Sequence, residues 1–146
     1  MLHGNLSADV QPRLLIVFEG ILGFLPPGRL AEYNQLGSAG RWDRAMGLWD
    51  LNGICMQKIV DLAIRKNQQI EIVTYVAPPE GAEALSRRFD EENLPVSRVI
   101  ASTPQRTARR LPYAPDVACV YDVDARNVMM YGSRGRHITN VHQLGR

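Results

Sequence analysis

Two uninterrupted apolar runs, Leu14-Leu15-Ile16-Val17-Phe18 and Val117-Ala118-Cys119-Val120-Tyr121, constrain this chain more than any other feature. A strand with one wet face alternates apolar and polar residues, whereas a strand apolar throughout needs cover on both faces, the condition of a parallel sheet between helical layers. Gln69 to Tyr75 and Val96 to Ala101 read as two further strands, and a short last one is predicted over Arg136 to Thr139. Helical spacing fills the gaps between them. Ile54 to Lys66 is amphipathic and stops at Asn67; Glu80 to Glu92 ends before Asn93 and Pro95; Thr103-Pro104 opens a helix to Arg110; a helical turn covers Asn127 to Tyr131. Strands joined through helices by right-handed crossovers predict an α/β fold, a mostly parallel, doubly wound Rossmannoid sheet with helices on both faces.

With 146 residues, 45% of them hydrophobic and 22% charged, the chain suits one globular domain and is not disordered or fibrous. Residues 1–13 are polar and close on Gln11-Pro12-Arg13, which suggests an N-terminal arm before a single domain over 14–146. Gly37, Gly40, Gly47 and Gly53 punctuate the stretch 24–53, which suggests a small cap or lid insertion; Trp42 and Trp49 within it are expected to pack rather than stack on a ligand. No apolar run approaches the roughly 18–20 residues of a membrane helix, and no secretory leader is visible. A cytoplasmic location without a membrane partner is therefore expected. Cys55 and Cys119 have no CxxC partner and read as buried thiols, while His3, His137 and His142 lack metal-ligand spacing.

In a sheet of this kind ligands bind beyond the carboxyl ends of the strands, where strand order reverses. That rule selects Glu19 and Gly20, Thr74 and Tyr75, Ser102 and Thr103, and Asp122 and Asp124. Structural roles compete for the same residues, because an aspartate at a strand end often bonds nearby amides and a terminal threonine often serves the backbone. An acid after the first strand, Thr after the second, a basic segment holding Arg106, Arg109 and Arg110, and a DxD after the fourth make a sequence order that resembles the haloacid-dehalogenase-like (HAD) superfamily. The resemblance spans residues 14–139 and implies phosphoryl-transfer chemistry with Mg²⁺. It assigns Glu19 to the acid/base position and Thr74 to phosphate binding. Arg106, Arg109 or Arg110 would be the basic residue, and Asp122 and Asp124, joined by Glu19, the metal-binding acids.

The first motif departs from that family. Its pattern DxDGT(L/V) falls on Val17-Phe18-Glu19-Gly20-Ile21-Leu22, so valine stands where the nucleophilic aspartate would attack phosphorus and ligate the metal, and Ile21 replaces threonine. The implied function is a catalytically degraded, HAD-like binding or regulatory module that contacts an unidentified protein partner and requires no cofactor. The alternative is a Mg²⁺-dependent phosphohydrolase or nucleotidase using Glu19, Thr74, Asp122 and Asp124. A third reading is capture of a phosphate-containing ligand or nucleic acid by the basic C-terminal third. From Arg98 onward eight arginines face only Asp116, Asp122 and Asp124, whereas the first 97 residues carry nine bases and twelve acids. Nucleic acid ranks below a protein partner because Tyr113, Tyr121 and Tyr131 are spread over separate elements and make no stacking platform. Gly132 to Arg136 can form an anion-binding nest, although a basic turn is the simpler expectation.

Overall fold

The structure, a computed structural model, describes residues 11–140 and 143–144. The apolar run opens as β1 (Arg13–Val17), and a tight turn leads to β2 (Gly23–Phe24). After α1 (Leu30–Ser38) and α2 (Trp42–Gly47), β3 (Asp50–Leu51) returns antiparallel to β2. There follow α3 (Gly53–Lys66), β4 (Gln69–Thr74), α4 (Pro79–Glu91), β5 (Val96–Ala101), α5 (Pro104–Arg110), β6 (Val117–Asp122), α6 (Ala125–Tyr131) and β7 (Gly135–His137). The main sheet has the order β5-β4-β1-β6-β7, and every neighbouring pair is parallel.

That order places the reversal of chain direction between β1 and β6. From β1 the chain winds outward through β4 to β5, then crosses back to β6 and continues to β7. Right-handed crossovers in opposite directions cover opposite faces. On one face Leu14, Ile16, Phe18, Ile70 and Ile72 pack against Ile59 and Leu62 of α3 and Leu85 and Phe89 of α4. On the other, Leu15, Val17, Val73 and Val120 meet Leu111 after α5 and Tyr131 of α6. Both faces of β1 are thus dry, as its unbroken apolar character requires.

The helix boundaries have local chemical causes. Asn52 accepts the Cys55 N–H at 3.0 Å at the start of α3, and Asn67 ends that helix in the left-handed region at φ 51°. Thr103 caps α5 through the Arg106 N–H at 3.1 Å, followed by proline at the first helical position. Asp124 caps α6 in the same way, accepting the Arg126 N–H at 2.9 Å.

Two segments singled out in the sequence, residues 11–13 and 24–53, make contacts with the rest of the fold. The boundary drawn at residue 13 falls inside β1, and the chain is already engaged before it: Pro12 O accepts the Gln69 N–H at 2.9 Å and Gln11 Nε2 donates to Asn67 Oδ1 at 2.7 Å. Residues 1–10 of the expected arm, including His3, and His142 lie outside the described residues. The insertion 24–53 is built into the core, since Tyr33, Ala45, Met46 and Trp49 share one apolar cluster with Phe18 and Leu85. Trp49 lies 5.3 Å from Phe18 between ring centroids and Trp42 6.0 Å from Tyr33. Arg88 of α4 clamps this segment by donating to Met46 O and Trp49 O, both at 2.7 Å. Among the described residues no helix is long and apolar enough to cross a membrane.

Candidate functional site at the strand-order reversal

The turn after β1 fixes the first candidate. Phe18 O accepts the N–H groups of Ile21, Leu22 and Gly23 at 3.0 to 3.3 Å, a single coil of chain that holds Glu19 over the end of the sheet. Gly20 adopts φ +88°, and a Cβ there would lie 2.7 Å from Val123 Cγ2, so the turn presses against the end of β6 and only glycine meets both demands. Glu19 then bridges to β4. Its carboxylate accepts the Thr74 hydroxyl and the Tyr75 backbone N–H, the latter at 3.0 and 3.1 Å to its two oxygens. Burial pushes the Glu19 carboxyl above its ordinary value, opposed by the Thr74 hydroxyl and the Tyr75 N–H. Tyr33 of the insertion, beside it, is likewise raised by burial and by the Glu19 charge.

The second acid belongs to β6. Asp122 is 2% exposed, and both of its oxygens are occupied: Oδ1 accepts the Asp124 N–H at 3.0 Å, and Oδ2 accepts Asn127 Nδ2 at 3.0 Å and the Tyr131 hydroxyl at 2.7 Å. The Tyr131 and Tyr75 hydroxyls lie 2.6 Å apart, and Tyr75 donates onward to Thr107 Oγ1 at 3.0 Å. Desolvation pushes Tyr75 up to about 12 and raises Tyr131 strongly, so both phenols stay protonated as hydrogen-bond donors. The hydroxyls of Thr107 from α5, Tyr75 after β4 and Tyr131 from α6 thus form a plug that ends on Asp122, while the Tyr75 backbone N–H bonds Glu19.

Val17 lies beneath this plug. It is 2% exposed and packs with Leu15, Val73, Val120 and Tyr131 on the α5–α6 face. Asp124 turns away from Asp122 to cap α6 and pairs with Arg126 at 3.2 Å; the Arg126 guanidinium holds its carboxyl below the ordinary value. A small divalent cation needs several oxygens facing one point. Here Asp122 and Glu19 already accept hydrogen bonds from the protein, Asp124 is a helix cap, and among the described residues no group of three or more His, Cys, Asp or Glu that could hold a metal ion is seen.

The arginines named in the sequence separate. Arg106 and Arg109 are exposed on α5, and neither guanidinium bonds Glu19, Thr74 or Asp122. Arg110 instead reaches Glu71, a fully buried acid of β4, with Nη2 at 2.5 Å from Oε2. Arg13 holds the other oxygen at 2.6 Å and also binds Asp116 at 2.8 Å, which depresses the Asp116 carboxyl. This network sits two residues short of Val73, the register partner of Val17, and does not reach the strand end. Arg134 donates to Leu111 O and Ala114 O, tying the glycine-arginine turn to the segment after α5, and Arg136 donates within the turn to Ser133 O and Gly135 O.

Sequence reasoning brought Glu19, Thr74, Tyr75 and Asp122 to one pole but missed Thr107, Asn127 and Tyr131. The four-residue spacing of Asn127 and Tyr131 places both on the sheet-facing side of one helix, a signal available before any coordinates. Glu71 was also legible as an acid breaking an apolar strand. No protein-family model, curated protein or solved structure matches this chain.

Proposed function

We propose that this chain is a catalytically silent, HAD-like domain that works as a binding or regulatory module through contact with another protein. The observation that carries the reading is Val17. At the strand end where the resembling family has its attacking carboxylate, this chain has a buried aliphatic side chain that can neither bond phosphorus nor ligate a metal. The surrounding acids support the same reading, because Glu19 and Asp122 spend their oxygens on Thr74, Tyr75, Asn127 and Tyr131 rather than facing a shared substrate. A protein partner suits the same pole. Phe24, Val76 and Val123 are 60%, 50% and 38% exposed, and each adjoins the Glu19 turn: Phe24 follows Gly23, Val76 follows Tyr75, and Val123 lies against Gly20. Exposed apolar groups around a closed polar centre favour a dry macromolecular contact over a charged small ligand.

The deciding experiment assays p-nitrophenyl phosphate and a nucleotide panel with Mg²⁺, using the full chain beside its Asp122→Asn variant. No turnover above buffer in either protein is expected. Turnover in the wild-type chain that Asp122→Asn abolishes would restore the phosphohydrolase alternative and eliminate the silent-module reading.

A further inference from the structure

We infer that the chain associates head to tail with further copies of itself, Tyr113 of one copy entering a groove between α4 and β5 of the next. This stands independently of the reading above. Tyr113 is 88% exposed, the highest value among the large hydrophobic side chains of the described residues, and it follows Pro112 and precedes Ala114-Pro115. The flanking prolines hold the turn, so little chain entropy is lost when the ring docks. Arg106 and Arg109 lie on the same side of α5 at helical spacing toward Tyr113, are exposed, and have no ion-pair partner among the described residues. The protruding surface is therefore an aromatic ring beside two unpaired cations.

The receiving surface is at the edge of the sheet. β5 has no strand on its outer side, and between it and the first turn of α4 runs a groove of about 400 Å³. Its floor includes Ala82, Ile100 and Ala101, its rim carries the exposed Glu80 and Glu83, and Arg98 borders it. Glu80 and Glu83 are three residues apart on α4, as Arg106 and Arg109 are on α5, so the two pairs have matching rise along their helices. The apolar floor suits the ring, the acidic rim suits the arginines, and Arg98 can lie over the aromatic face. Nucleic acid fits the arginines alone and leaves the acid-rimmed groove without an occupant. Since ring and groove are different surfaces of one molecule, the contact is heterologous and propagates.

Sedimentation velocity on the full chain across a wide concentration range, at low and high salt, tests this. Average mass is expected to rise with concentration at low salt and to fall as salt screens the charge pairs. Tyr113→Ser and Glu80→Lys/Glu83→Lys are each expected to weaken association at least about tenfold. Both alter exposed residues, and circular dichroism reports whether they fold; Arg106→Glu/Arg109→Glu replaces the first if it does not. Mixing a ring-defective with a groove-defective variant leaves one good ring and one good groove, so a 1:1 dimer that grows no further is expected. A wild-type chain that stays monomeric throughout, or a mixture that stays monomeric, overturns the proposal. So does a wild-type monomer that retards DNA while Arg106→Glu/Arg109→Glu does not, which would assign the arginines to nucleic acid.

Discussion

Val17 and Glu19 sit two residues apart on the same chain end and occupy opposite physical situations. Val17 contributes its methyl groups to an apolar cluster, so Val17→Asp places an uncompensated charge there and is expected to cost about 3–5 kcal/mol, read as a lowered urea midpoint. Glu19 is buried but bonded, and burial dominates, raising its folded-state carboxyl above the ordinary 4.5. A raised acid binds its proton more tightly when folded. Its unfavourable contribution is therefore absent below the unfolded value and grows as pH rises through the folded one. Glu19→Gln keeps an acceptor for Thr74 and Tyr75 without the charge. Its stability relative to wild type is expected to be greater near pH 7 than near pH 4, measured by denaturant unfolding at both. A relative stability that does not change with pH would show that Glu19 is ionised at no cost in the fold.

Among the elements, β4 and α5 are joined by an ion pair that the strand pattern alone would not place. Glu71 is 1% exposed at its side chain, whereas Arg13 and Arg110 are 18% and 32% exposed and keep part of their heads in water. Loss of the acid leaves two arginines that can hydrate, but loss of both arginines strands a carboxylate in the sheet. The double variant Arg13→Met/Arg110→Met is thus expected to lose more stability than Glu71→Met, by about 2 kcal/mol or more in matched denaturant melts. Equal losses would show that water reaches Glu71. The same elements explain the limits of motif reading. Arg110 belongs to the basic segment that resembles a phosphate-binding motif, yet its partner is the mid-strand Glu71, because helix rotation on the sheet directs it there.

For the molecule as a whole, the insertion between β1 and α3 decides how many cooperative units there are. Trp42 and Trp49, the chain's two tryptophans, both lie in it, and Trp49 packs on Phe18 from the turn after β1. Tryptophan fluorescence and far-ultraviolet circular dichroism are therefore expected to report one coincident unfolding transition. An earlier fluorescence transition would reveal a separately melting lid.

The parallel sheet was legible because doubly covered strands such as Leu14–Phe18 and Val117–Tyr121 have a composition that no half-wet strand shares, and Thr103 before Pro104 marks a helix start by purely local hydrogen bonding. The pole where Glu19, Thr74 and Asp122 gather followed from the same strand order. The partners of Asp122, Asn127 and Tyr131, follow it by only 5 and 9 residues, but the remaining contacts did not follow, because the Tyr131–Tyr75–Thr107 chain and the Glu71 network join residues 32 to 103 positions apart. Local sequence determines which segments are strands and where helices begin, since those choices rest on neighbouring residues. Only tertiary packing brings distant hydroxyls and guanidinium groups within hydrogen-bond reach, and a contact of that range leaves no periodic trace in the chain.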